Sequence, residues 1–179
     1  MPRWCAVHSV GSRPPALSGG IVDDSFLDIE RGDMPTRTAT TTWHGDLQSG
    51  SGTVEMTSSK VGTYEVSFPK RAAEDAGGTT SPEELIAAAH SSCFAMQFSN
   101  QLAQAGGRDA NVTVRSDVTL SPDPEGGFRI RSSKITVRGS VEGLDDGGFV
   151  KAAEAAKAGC PVSKLFANNT EISLDAALG

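Results

Sequence analysis

Ser81-Pro82-Glu83-Glu84-Leu85-Ile86-Ala87-Ala88-Ala89-His90-Ser91-Ser92-Cys93-Phe94 is the stretch on which the fold turns. Its first four residues read as a capping box: Ser81 caps, Pro82 takes the first helical position, and Glu84 reaches back. Proline has no N–H to lose there, and its φ already suits a helix. Two carboxylates in the first turn complement the helix dipole. Leu85, Ala88, Ala89, Cys93 and Met96 then recur at helical spacing, and Gly106-Gly107 ends the pattern. The central residues are small or apolar, so this long helix is expected to be largely buried.

Upstream of it, residues 38–43 are rich in β-branched side chains and read as a strand. A Gly-Ser turn at residues 50–52 leads to a second strand at 53–57, and residues 64–68 alternate as a third. These three make an antiparallel meander, followed by a polar, Gly-bearing loop over 70–80. Downstream, residues 111–120 and 128–139 read as strands joined by the Pro/Gly-rich turn 121–127. A second helix is expected over 147–158, ending at Gly159. Pro161 opens a further short helical turn with Cys160 at its cap, and residues 172–178 form a last strand. The order βββ-α-ββ-α-β does not alternate strand with helix. It therefore indicates an α+β fold, with mainly antiparallel sheets around central helices. No internal repeat is present.

Residues 1–36 differ from the rest: they hold Trp4, Cys5 and a Gly/Pro/Ser stretch, with no sustained period. They read as a disordered or extended arm, or as sequence upstream of a native start at Met34. Ile21-Val22 and Phe26-Leu27 are the pairs by which such an arm would dock. Residues 37–179 read as the functional domain.

The chain has 179 residues, enough for one domain with a proper core. Its net charge of −6 and the lack of a dense Lys/Arg cluster argue against a general nucleic-acid binder. No apolar run is long enough to cross a bilayer, and Arg3 is followed by no signal-peptide core. Three cysteines cannot all pair within one chain, and so low a count suggests a reducing, cytoplasmic setting.

Taken alone, Cys93 reads as a structural thiol in mid-helix. Cys160, in Ala158-Gly159-Cys160-Pro161-Val162-Ser163, falls at a helix N-terminus, where the dipole and free N–H groups can acidify a thiol. Two cysteines on separate helices of one small core can meet, but a disulfide needs their Cα atoms within roughly 7 Å. Spacing does not supply that distance.

The residues 81–94 quoted above resemble the central helix of the OsmC/Ohr family. Lys157-Ala158-Gly159-Cys160-Pro161-Val162-Ser163 resembles that family's second cysteine motif. Trp43-His44-Gly45-Asp46-Leu47, followed by Gly50-Ser51-Gly52, is similar to its opening. The likeness runs in order over roughly residues 37–178, and Val162 after Cys160-Pro161 favours the OsmC branch. The resemblance implies an intertwined homodimer and a thiol peroxidase acting on organic hydroperoxides, and more weakly on hydrogen peroxide, in oxidative or osmotic stress. Carried over by position, Cys93 is the peroxidatic thiol, Cys160 the resolving thiol and Glu83 the active-site glutamate. The cationic partner falls on Arg71, with Lys70 adjacent. The resemblance implies no metal or organic cofactor and an external dithiol reductant of lipoyl type. The pocket expected to favour organic peroxides is lined by Phe94, Met96 and Phe98.

Glu83 and Cys93 are ten residues apart, roughly 15 Å of helix rise, and cannot touch. Either Arg71 spans the gap, the helix bends, or Arg71 and Glu83 serve the cysteine of the other subunit. His90, one turn before Cys93, reads best as a buried, hydrogen-bonded histidine. A Cys-His nucleophile pair, a zinc site of Cys93, Cys160 and His90, and a non-catalytic dimeric binding protein with buried thiols are the rival readings.

Overall fold

Three short strands open the described part of the chain: β1 (Thr40–His44), β2 (Ser51–Glu55) and β3 (Thr63–Val66) form an antiparallel sheet in the order 1-2-3. The computed structural model describes residues 34–179, and Thr38–Gly179 form one unit. All but the last three residues of the expected N-terminal arm, Cys5 included, lie outside the described residues. The segment expected as a polar loop opens with a helical turn, α1 (Phe68–Arg71), capped by Ser67, whose hydroxyl accepts from the Lys70 N–H.

The long helix α2 (Pro82–Gln104) starts where the capping residues place it. Ser81 Oγ accepts from the Glu84 N–H at 3.2 Å. Glu84 reaches back one residue further than a capping box requires, to the Thr80 hydroxyl at 2.7 Å. At the other end, Gly106 takes φ +89, a conformation that costs glycine nothing and stops the helix.

β4 (Arg108–Pro122) and β5 (Phe128–Glu142) form a long antiparallel hairpin, and α3 (Asp146–Gly159), α4 (Pro161–Phe166) and β6 (Glu171–Leu178) follow. The second sheet has the order β4-β5-β6, and β6 lies parallel to β5, a departure from otherwise antiparallel pairing. The helices between β5 and β6 supply the crossover that a parallel pair needs. At Gly139 the two long strands run so close that a Cβ would collide with the Asn111 carbonyl.

The core lies between this second sheet and the helices. Phe94, Phe98 and Leu102 form a stripe on α2 at four-residue spacing, continuous with His90 one turn earlier. They pack on Ile135 and Val137 of β5 and on Phe149, Ala152, Ala153 and Ala156 of α3. Phe98 meets Phe149 edge to face at 5.0 Å. Each buried Phe, Leu, Ile or Val side chain among them contributes about 1.5–3 kcal/mol.

The opposite face of α2 is open. Ala88, Ser92 and Met96 are exposed, with Met96 at 69%, so the expectation of a largely buried helix holds for one face only. The first sheet packs mainly on itself. Its β1 is exposed throughout, and Trp43, Leu47 and Tyr64 present apolar surface to solvent. No helix among the described residues is long and apolar enough to cross a membrane.

Candidate active site

The helical stripe on α2 and the break between α3 and α4 together place two thiols. Cys93 lies one turn beyond His90 on α2. Cys160 ends α3, its N–H still bonded to the Ala156 carbonyl at 2.8 Å, and its extended backbone lets Pro161 start α4 in a new direction. Pro161 suits that first helical position for the same reason as Pro82. The two sulfurs stand 3.2 Å apart as free thiols in hydrogen-bond contact. Cys160 is fully buried and Cys93 half-buried.

The amide at the start of α4 was expected to serve Cys160. The backbone of Val162, in that first turn, acts on Cys93 and works to lower its thiol pKa. Burial nevertheless pushes the Cys93 thiol up from its ordinary range, and the neighbouring Cys160 adds to the rise, against the Val162 hydrogen bond. Within one chain Cys93 is therefore a poor thiolate.

Arg71 closes α1 and reaches the first turn of α2. Its Nε and Nη2 hold both oxygens of Glu83, with Nη2–Oε1 at 2.6 Å and Nε–Oε2 at 3.0 Å. This two-point fork is the geometry that suits arginine to carboxylate. Burial alone would raise Glu83, but the Arg71 hydrogen bonds and charge hold it below the usual carboxylate range. The hydrogen bond to Glu83 likewise holds Arg71 protonated. Lys70, the alternative cation, is exposed, with its ammonium over Gly77.

The structure thus brings Cys93 to Cys160 and Arg71 to Glu83. It does not bring the two pairs together in one chain, since Glu83 and Cys93 are separated by the roughly 15 Å rise of ten helical residues. Arg71 instead lines a groove of about 380 Å³, walled by Trp43 and Val54 of the first sheet, Leu47 of the turn between β1 and β2, and Leu85 of α2. The lining expected from Phe94, Met96 and Phe98 is not realised. At 100° per residue Phe94 and Phe98 share the core face and Met96 points the other way, so the two phenylalanines are core side chains with no exposure.

His90 is buried and hydrogen-bonded, as its place in the sequence suggests. Nδ1 meets Ser133 Oγ at 2.7 Å and Nε2 meets Ser163 Oγ at 2.9 Å. Burial depresses its pKa and keeps the ring neutral. With both nitrogens engaged it is not free to act as base to Cys93. Among the described residues no group of three His, Cys, Asp or Glu side chains gathers in a metal-binding arrangement. The two serines escaped sequence reading. Ser163 had a signal, lying one turn past Cys160; Ser133, 43 residues from His90, had none.

Comparison with known proteins adds to this geometry. The model of the family described as OsmC-like protein matches residues 74–175. The peroxiredoxin OsmC of Escherichia coli (strain K12) is 37% identical over 133 residues, 74% of this chain and 90% of that protein. An organic hydroperoxide resistance protein-like 2 of Staphylococcus epidermidis is 32% identical over 108 residues, 60% of this chain and 74% of that one. Among solved structures, an organic hydroperoxide resistance protein from Elizabethkingia anophelis shares the fold at TM-score 0.67 and 24% identity, over 82% of this chain and 98% of that one. The organic hydroperoxide resistance protein OhrB of Bacillus subtilis does so at TM-score 0.61 and 26% identity, over 78% and 97%.

Proposed function

The chain belongs to the OsmC-like protein family, and on that premise we propose that it is a thiol peroxidase that reduces organic hydroperoxides, and hydrogen peroxide more weakly. Cys93 is the peroxidatic thiol and Cys160 the resolving thiol. The observation that carries this reading is the 3.2 Å contact between two free thiols drawn from separate helices of one core. A pair so placed is one condensation away from a disulfide.

The Cys93 thiolate attacks one peroxide oxygen, forming a sulfenic acid and expelling an alkoxide that is protonated to the alcohol. The Cys160 thiol then condenses with the sulfenic acid, forming the disulfide and releasing water. An external dithiol of lipoyl type reduces the disulfide by two exchange steps and leaves as its own cyclic disulfide. The cycle requires no metal or organic cofactor. A reducing cytoplasm, where such dithiols are maintained, is the setting we assign.

The first step needs a cation near Cys93, because burial disfavours the thiolate. We assign that role to Arg71 of a second copy in an intertwined homodimer, oriented by its own Glu83. Two features support this. Glu83, which holds the guanidinium, lies about 15 Å of helix rise from Cys93 of its own chain, and Arg71 lines an apolar groove. The first sheet and the outer face of α2, with Trp43, Leu47 and Met96 exposed, offer apolar surface for such a partner to cover. In the groove, Trp43 and Leu47 would favour an organic substituent on the peroxide, and Arg71 would donate to the leaving oxygen.

One equivalent of cumene hydroperoxide added to the reduced protein tests the reading. A Cys93–Cys160 disulfide in the intact mass and peptide map is the expected product. Two unchanged thiols would overturn it.

A further inference from the structure

The peroxidase cycle uses two thiols and an arginine, yet the largest buried polar side chain is His90, with both ring nitrogens bonded. A leucine would fill that space without needing partners, and buried polar networks are retained at a cost in burial. His90 instead joins four elements. It stands on α2, its Nδ1 meets Ser133 of β5 and its Nε2 meets Ser163 of α4. Ser133 continues to Ser116 of β4 at 3.0 Å, and Phe166 of α4 packs edge-on against the imidazole at 5.1 Å.

The placement relative to the thiols is specific. His90 is three residues before Cys93 on α2, and Ser163 is three residues after Cys160 in α4. The His90–Ser163 bond therefore lies one helical turn from the sulfur pair on both helices. Two attachment points a turn apart, Cys160–Cys93 and Ser163–His90, fix both the sliding and the rotation of the six-residue α4 against α2. With the thiol contact alone, α4 could pivot.

We propose that His90 is a positioning residue for thiol pairing, and that its bond to Ser163 holds Cys160 at the distance from which it condenses with oxidised Cys93. This rests on the peroxidase reading only for the step that the pairing serves. His90 touches neither peroxide nor sulfur. It acts through Ser163 on where Cys160 stands. Ser133 anchors the other side of the ring, and its side-chain hydrogen bonds go to His90 and Ser116 rather than to α4.

That asymmetry supplies the test. Ser163→Ala and Ser133→Ala each remove one hydroxyl and leave one imidazole nitrogen unpaired, and Ser133→Ala also loses the bond to Ser116, so it costs at least as much stability. Each reduced variant is equilibrated with oxidised and reduced dithiothreitol, and the Cys93–Cys160 disulfide is counted by mass. In this exchange the two protein thiols give up two electrons to the reagent's disulfide. Ser163→Ala should lower the disulfide equilibrium constant about tenfold, the loss of one buried hydrogen bond, while Ser133→Ala stays near wild type. His90→Asn, whose amide reaches only the Nδ1 position, should group with Ser163→Ala. His90→Gln, which reaches the Nε2 position, should group with wild type.

In a parallel arm with excess cumene hydroperoxide, Ser163→Ala should accumulate Cys93 sulfinic acid that wild type avoids, because resolution is slowed. Equal effects of the two serine variants on the disulfide equilibrium, or none from Ser163→Ala, would overturn the proposal. If the equilibrium splits as expected but wild type ignores the peroxide, the positioning role stands and the peroxidase reading falls.

Discussion

Cys160 Sγ stands 3.2 Å from Cys93 Sγ, with Cys160 fully buried and Cys93 partly open. In the proposed cycle the accessible sulfur meets the substrate and the enclosed one meets the oxidised sulfur afterwards. The first prediction follows from this division. Cys160→Ser should still react once with an organic hydroperoxide, then stall and pass to sulfinic and sulfonic acid at Cys93 as peroxide rises. Intact mass spectrometry, reading additions of two and three oxygens, checks it.

If Arg71 serves the thiol of the other copy, two inactive variants should complement each other. In a co-expressed mixture of Cys93→Ser and Arg71→Ala, half the dimers are mixed and each mixed dimer has one complete site. About a quarter of wild-type activity is expected in a two-fold dimer. If Arg71 acts on the thiol of its own chain, no complete site forms and the mixture stays inactive.

Glu83 has a measurable pH signature. Its carboxyl is held below its ordinary value of 4.5 by Arg71, against the opposing effect of burial. A depressed carboxylate contributes stability that is complete above the unfolded value and is lost as pH falls through the folded one. The wild-type melting temperature should therefore fall below pH about 4.5 more steeply than that of Glu83→Gln. At neutral pH Glu83→Gln should be less stable by about 1–3 kcal/mol, since it leaves a partly buried guanidinium without its counter-charge. Thermal melts across pH 3–7 read both effects.

His90 gives a second signature at higher pH. Burial holds it below its ordinary 6.5, so the folded protein keeps it neutral while the unfolded chain protonates. Its contribution is complete above pH 6.5 and declines as pH drops below that value. His90→Gln should lose this slope below pH 6.5 while retaining the one due to Glu83, and the same melts separate the two.

Much of the element order was legible because local chemistry marks it. Ser81-Pro82 starts α2, Gly106 stops it, and the Pro/Gly-rich turn at 121–127 joins the two long strands. The direction of β6 was not legible. A period of two marks a strand but not which way its neighbour runs, and the parallel pairing with β5 is decided by the α3–α4 crossover. The strands also run on over residues 108–110 and 140–142, where a register shift between Arg108 and Asn111 and a positive φ at Asp109 leave no sequence period to mark the start of β4.

Of the candidate site, residue identities were legible and distances were not. Nothing local tells that sulfurs 67 residues apart stand in contact, or that the hydroxyls of Ser133 and Ser163 converge on His90. The pocket residues Phe94 and Phe98 were misplaced because hydrophobicity alone does not say which face of α2 meets the core. The stripe from His90 to Leu102 decides that, and it is complete only when the sheet beneath it is known.

The central claim is a two-thiol peroxidase, and its most direct test is steady-state consumption of an organic hydroperoxide with dihydrolipoamide as reductant, run on wild type, Cys93→Ser and Cys160→Ser. The account predicts continuous turnover by wild type, none by Cys93→Ser, and at most a turnover or two by Cys160→Ser before Cys93 overoxidises. A wild type inert with every dithiol supplied, or a Cys93→Ser variant that still turns over, would contradict it.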